Sequence, residues 1–317
     1  MSTTTRTQPF SYSIVILTFN RGHLLRRLLE ELEELRRDDV EVIVVDNASD
    51  VPASAVADSY PGVTTVRAPR NLGAAGRNLG FEVARGDIII CLDDDVFGLS
   101  KDARDQLGRI FSDSEIAAVN FKVLEEGTGR IVNWVHHREV EKYCDSVFDT
   151  YEITEGAVAF RRSALVEVGG YPEPFFLSHE GPDLAFRIMN KGWRVIYSPA
   201  ITVTHSFAPE GRKSWRNYYF DTRNTFWLAI RNLPLTYGTV TVLRQTAAMF
   251  FYALRDGYLL WWARAVWHGL RGVPQALRER KRMTAATMRR IREIDSYRPS
   301  LIYTLKKRWT KSGSMRL

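Results

Sequence analysis

Along the first hundred residues, short unbroken apolar runs alternate with stretches of helical period. Ile14-Val15-Ile16-Leu17 has no polar break, which predicts a strand covered on both faces. From His23 to Arg37, the residues Leu24, Leu25, Leu28, Leu29, Leu32 and Leu35 recur at helical spacing, with Glu and Arg between them. Val42-Ile43-Val44-Val45 predicts a second strand, ending at Asp46. A loop with Pro52 and Pro61 leads to a third, Thr64 to Arg67. Gly73 to Ala84 predicts a helix, and Ile88 to Leu92 a strand that ends at Asp93.

This βαβαβ order implies an α/β fold with a parallel sheet. Polar residues fall at the carboxyl ends of successive strands: Thr18 and Asn20, then Asp46 and Asn47, then Asp93-Asp94-Asp95. Open α/β sheets bind ligands at that edge, so a nucleotide-type site is expected there. No Gly-x-Gly-x-x-Gly follows the first strand and no Gly-Lys-Ser/Thr loop occurs, which counts against a dinucleotide oxidoreductase and an NTPase. The Gly73/Gly76/Gly80 spacing suits close helix packing better than phosphate binding. Between about residues 115 and 210 short strands (117–121, 157–160, 195–197) mix with turns and a short helix over 183–191, which continues the same domain.

From about Trp215 the chain becomes aromatic- and Arg-rich and helical, with a break expected at Asp256-Gly257. Arg244 and Arg255 share one helical face and Arg264 and Arg271 another. The longest uncharged stretch here is about half of the roughly 20 residues that span a bilayer. Two amphipathic helices with cationic borders suit contact with an anionic membrane surface, or packing on protein. The net charge of +7 is concentrated beyond Arg271, where only Glu279, Glu293 and Asp295 oppose the cations. Such a tail attracts polyanions, but no nucleic-acid motif accompanies it. The two cysteines, Cys91 and Cys144, form no disulfide framework, and the N-terminus lacks an apolar leader. The expected location is the cytoplasm, with a peripheral place at the inner face of the cell membrane as the alternative to a freely soluble one.

Three adjacent carboxylates after a buried strand repel one another unless a cation is bound, and hard oxygen ligands suit Mg²⁺ or Mn²⁺. A solvated turn or a helix cap is the plainer reading of such a triplet; its place after an apolar strand favours the site. His205, after Ile201-Thr202-Val203-Thr204, can add an imidazole to a Mn²⁺ ion or be an ordinary core histidine. Glu180 is placed on a loop, free to act as a base. Asp183 is either a second base candidate or the N-cap of the following helix, with Arg187 one turn on to pair with it.

Taken in order, these segments resemble the family 2 inverting glycosyltransferases, with a rhamnosyltransferase-like subgroup among them. The resemblance runs through Ile16–Arg21, Val45–Ser49, Asn71–Asn78, Leu92–Asp95, Gly156, Arg161–Ala164, Val168–Tyr171, Glu180-x-x-Asp183-Leu184, His205 and Arg223-Asn224. It implies a GT-A fold, a Rossmann-like mixed sheet with flanking helices, over residues 12–235. A disordered segment 1–11 would precede it, and an amphipathic, basic helical extension, 236–317, would follow.

It further implies that Thr18, Asn20, Arg21, Asp46, Asn47, Arg77, Asp93 and Asp94 bind a nucleotide sugar. Asp95 and His205 would hold Mn²⁺ or Mg²⁺. The family's catalytic Glu-Asp pair reads Glu180-Gly181 here, leaving Glu180 as base with Asp183 behind it. The implied activity is sugar transfer with inversion to a glycan, lipid-linked or natural-product hydroxyl. A nucleotidyltransferase, and a membrane-associated relative without turnover, are the alternatives.

Overall fold

The computed structural model describes residues 10–35, 39–206, 215–300 and 303. Most of the N-terminal segment expected to be disordered, and of the stretch beyond residue 300, lies outside them.

The strands are β1 (Tyr12–Thr18), β2 (Val40–Asp46), β3 (Val63–Arg67), β4 (Ile88–Asp93), β5 (Val96–Phe97), β6 (Ile116–Glu125), β7 (Phe148–Asp149), β8 (Ala157–Arg161) and β9 (Arg194–His205). Among the described residues they form one sheet in the order β3-β2-β1-β4-β8-β6-β9-β5, with β7 also on β9. β1 to β4 are mutually parallel, and β8 runs antiparallel between β4 and β6. The alternation within β1 shows why an unbroken apolar run is needed. Ile14 and Ile16 face one buried layer and Val15 the other, so neither side can be polar.

Twelve helices flank the sheet among the described residues. The N-terminal half holds α1 (Gly22–Leu32), α2 (Ser54–Ala57), α3 (Arg77–Val83), α4 (Ala103–Phe111), α5 (Val140–Tyr143) and α6 (Arg162–Val168). The C-terminal half holds α7 (Glu180–Asn190), α8 (Trp215–Asn232), α9 (Leu235–Asp256), α10 (Leu259–Arg271), α11 (Val273–Arg278) and α12 (Ala285–Asp295). The leucine stripe predicted from His23 onward is the buried face of α1 and packs on Ile14 and Ile16.

Two helices differ from the sequence expectation. The stretch from Gly73 is a 3₁₀ turn, Gly73–Gly76, followed by α3. Its glycines do serve close packing: a Cβ on Gly80 would sit 2.5 Å from Val15, and one on Gly76 2.8 Å from Leu17. α7 begins at Glu180 rather than after Asp183, so His179, with φ of 67°, is the N-cap, and Asp183 lies inside the helix.

The predicted break is real: Gly257 ends α9 in the left-handed region, φ 79°. α10 then folds back on α8, where Trp215 stacks on Trp261 at 4.1 Å and Tyr218 on Tyr258 at 4.8 Å. α12 returns to the sheet layer. Met288, Ile291 and Ile294 share a core with Val15, Ile89 and Val158, and Asp295 accepts hydrogen bonds from Tyr151 and Tyr237.

Candidate active site

The carboxyl ends of β1, β2 and β4 lie side by side, as the parallel register requires: Thr18 pairs with Asp46 and Leu17 with Asp93. The predicted polar residues therefore meet at one edge. Their environments differ. Asp46 is buried, and its carboxylate accepts from the Ser49 and Ala53 amides at 2.8 and 3.1 Å and from Arg67 at 2.5 Å. Asn47 is buried too; it donates to Asn71 Oδ1 and the Gly73 carbonyl and accepts from the Leu72 amide. These two residues build the wall of the edge. Asn20, with φ of 56°, is exposed and exchanges hydrogen bonds with Asp50. Asn20, Arg67 and the partly exposed Arg21 form the rim.

The acidic triplet spans the end of β4 and the turn into β5, and each member has its own partner. Asp93 is the open one: its side chain is 37% exposed, it pairs with the buried Arg77, and its amide donates to the Gly156 carbonyl. A Cβ on Gly156 would lie 2.3 Å from the Asp93 carboxyl carbon, so only glycine lets β8 come this close. Asp94 is buried and accepts from Thr18 Oγ1 at 2.7 Å and Arg21 Nη1 at 3.1 Å. Burial pushes its pKa up to about 7, with Arg21 and Thr18 opposing and Asp95 and Asp93 adding their repulsion. Asp95 is buried, 2.8 Å from Arg21 and 3.2 Å from His205 Nε2.

That last contact depends on one of the two shortest strands of the sheet. The two residues of β5 pair antiparallel with the end of β9, setting Val96 against His205 and Phe97 against Thr204, and the Ser206 amide donates to the Asp95 carbonyl. The donor set, one buried carboxylate beside one buried imidazole, mixes a hard oxygen with a nitrogen and so fits Mn²⁺ better than Mg²⁺. No cluster of three or more His, Cys, Asp or Glu side chains is arranged to hold a metal among the described residues. With two protein donors, a cation here would need its remaining ligands from substrate oxygens and water.

Glu180 and Asp183 enter from the first turn of α7. Glu180 is buried, 3% exposed, and its Oε2 has no hydrogen-bond partner among the described residues. Its pKa is driven well above the ordinary range, first by burial and then by the charge of Glu155, against backbone hydrogen bonding and Arg77. Asp183 is fully buried but accepts from Arg187 at 2.9 Å, Arg231 at 2.8 Å and Asn232 at 2.8 Å. Burial alone would raise its pKa; the two guanidiniums outweigh it and hold it low.

The loop before α7 is strained, with Phe176, Ser178 and His179 all at positive φ. Its carbonyls are held from α8: Asn224 Nδ2 donates to Phe175, Leu177 and Ser178, and Arg223 Nη2 to Pro174 and Phe175. Sequence reasoning missed Glu155, a half-buried carboxyl whose pKa is pushed up to about 7 by burial, with Asp93 and Glu152 adding and Arg77 opposing. The available signal was an acidic residue directly before Gly156 and an apolar strand.

Fold and site together define a glycosyltransferase of the GT-A type. The chain belongs to glycosyl transferase family 2. That family's sequence profile matches residues 13–169. The uncharacterized glycosyltransferase YwdF of Bacillus subtilis is 31% identical over 208 residues, covering 63% of this chain and 75% of that one. The O-antigen chain rhamnosyltransferase WbaN of Salmonella anatum is 23% identical over 226 residues, covering 67% and 71%. Among solved structures, the mannosyltransferase PcManGT from Pyrobaculum calidifontis, in complex with GDP-Man and Mn²⁺, superposes with a TM-score of 0.55 at 20% identity, covering 96% and 89%. At that identity the likeness speaks for the fold.

Proposed function

We propose that the protein transfers a sugar, with inversion, from a nucleoside-diphosphate donor to a hydroxyl acceptor. The observation that carries this reading is the meeting of Asp93, Asp94, Asp95 and His205 at one sheet edge, with Glu180 presented by α7, its carboxyl buried and its Oε2 without a hydrogen-bond partner among the described residues. Asn20 and Arg21 form the rim over which the nucleoside lies, and Asp46 and Asn47 shape the wall behind it. Arg77 orients Asp93 toward the donor. Asp95 and His205 would hold Mn²⁺ or Mg²⁺, in keeping with the Mn²⁺ named for the mannosyltransferase neighbour. A cation there supplies positive charge to a diphosphate leaving group. Arg21, already on Asp94 and Asp95, contributes a second positive charge at the same edge.

Glu180 acts as the base. A carboxyl in an apolar setting is a stronger base than one in water, so it takes the acceptor's hydroxyl proton more readily as the new bond forms. Attack from the face opposite the diphosphate inverts the anomeric configuration without a covalent enzyme intermediate. Asp183, saturated by three donors, anchors α7 to α8 instead of serving as a base.

The test is release of nucleoside diphosphate from UDP-, dTDP- and GDP-sugars with Mn²⁺ or Mg²⁺. The reading predicts turnover of at least one, abolished by chelator. No turnover and no binding of any of them would sink it.

The outer faces of α9 and α10 support an acceptor at a lipid surface. Leu243, Phe251, Leu254, Leu260, Trp267 and Leu270 are exposed there, bordered by Arg244, Arg255, Arg264 and Arg271, with Asp256 the only acidic residue in either helix. Among the described residues no helix is long and apolar enough to cross a membrane. Flotation with anionic vesicles at low salt should carry the protein upward; failure to float removes the membrane from the reading.

A further inference from the structure

Where the family resemblance expects two adjacent carboxylates, at what is here the start of α7, this chain has Glu180 followed by Gly181. The space that a side chain at 181 would take is already filled. A Cβ there would lie 2.5 Å from Glu155 Oε1 and 2.8 Å from the Ile153 carbonyl. A carboxylate is thus present beside Glu180 after all, delivered from the connection between β7 and β8. Glu180 Oε2 meanwhile is buried with no hydrogen-bond partner among the described residues.

We propose that Glu155 replaces the side chain missing at position 181 and forms with Glu180 a carboxyl pair that keeps one proton at the acceptor site. The proposal rests on the transferase reading and gives its base a second member. Glu155 is a positioning residue in it: it acts on the acceptor through Glu180.

Charge around the pair favours a retained proton. Arg77 from α3 is the cation facing it, and Arg77 is already engaged by Asp93 at the end of β4. Glu152 flanks Glu155, Tyr171 faces from beyond α6 and Asp221 from α8; beside Asp221 stands His179, whose Nε2 lies 3.1 Å from Thr225 Oγ1. Two carboxylates with one shared counter-cation do not both ionise readily, and they titrate as a unit.

With one proton retained, the ionised oxygen of the pair accepts the hydroxyl proton while the acceptor oxygen bonds to the anomeric carbon. The bond from that carbon to the diphosphate oxygen breaks, and its electron pair leaves with the nucleoside diphosphate. The pair is then doubly protonated and returns one proton to water.

The test compares Glu155→Gln, Glu155→Ala, Gly181→Asp and the double variant Glu155→Ala/Gly181→Asp. The isosteric Gln keeps the packing and stands in for the protonated partner but cannot ionise, so the alkaline limb of kcat/KM that marks loss of the retained proton should vanish while the acid limb stays in place, with kcat down roughly 10-fold. A merely structural role would lower kcat and leave the alkaline limb in place, and that result overturns the proposal. Gly181→Asp alone should be nearly inactive, because its Cβ meets Glu155. The double variant relieves the contact with Glu155 but keeps the one with the Ile153 carbonyl, so its recovery of activity about 10-fold over Glu155→Ala supports the pair, and the pH profile of Glu155→Gln is what decides against it.

An infrared readout separates this proposal from the transferase reading. At neutral pH the protonated-carboxyl band of the wild type should weaken in both Glu155→Gln and Glu180→Gln. If the band behaves so but no nucleotide sugar is turned over, the pair stands and the transferase reading falls. If transfer is normal and neither variant changes the band, the pair falls and the transferase reading stands.

Discussion

Glu180 and Asp183 lie one turn apart on the same helix, both buried, and the protein treats them in opposite ways. Asp183 is met by two guanidiniums and an amide, from α7 and α8, and its pKa is held low. Glu180 has a neighbouring carboxylate, an orphaned oxygen and a pKa driven up. Sequence spacing gives only part of this: it offers Asp183 a partner in Arg187 one turn on, and says nothing of what surrounds Glu180. The contrast separates a charge that holds the fold from one kept ready to accept a proton.

The comparison can be broken first at Glu180. Glu180→Gln should lower kcat by about 10²–10⁴-fold, the usual range for loss of a general base, with nucleotide affinity unchanged. Normal turnover would put the base elsewhere.

Asp183→Ala should act on stability instead. Leaving Arg187 buried without its counter-charge, and Arg231 with Glu279 alone, costs about 3–5 kcal/mol, read in urea denaturation, and a variant as stable as wild type would refute the anchoring role.

The signs of pH dependence should also oppose. Asp183 has a depressed pKa, so its stabilisation is present above its unfolded value of about 4 and lost as pH falls through the folded one. The advantage of wild type over Asp183→Asn should therefore shrink in acid. Glu180 has a raised pKa, so its contribution is present below about 4 and lost as pH rises through the folded value; wild type should lose ground to Glu180→Gln on the alkaline side. Equal slopes for the two variants would erase the distinction.

The smallest effect is a control. Arg70 and Glu173 form an ion pair with both side chains more than half exposed, and Arg70→Ala should change stability by only about 0–1 kcal/mol. A larger loss would mean that pairing alone, without burial, sets the scale.

What was legible in the sequence follows from the range of the contacts. Ile14–Leu17, Val42–Val45 and Ile88–Leu92 advertise buried parallel strands, and parallel register alone brings Thr18, Asp46 and Asp93 together. His205 was singled out, but its place beside Asp95 depends on a two-residue strand too short to carry any periodicity. Asp183 was legible as an acid paired with Arg187; its partners Arg231 and Asn232 lie 48 and 49 residues away on a helix whose docking no local pattern encodes. Glu155 escaped notice because its neighbour is defined by an absence, the missing side chain of Gly181.

Asn224 has a consequence for engineering. One side-chain amide suspends three carbonyls of the loop that introduces Glu180, so α8 also sets the position of the proposed base. Chimeras that exchange the chain from residue 215 onward between relatives would not swap an acceptor module alone. They would retune the chemistry with it, unless the splice also carries the segment from Pro174 to Asp183.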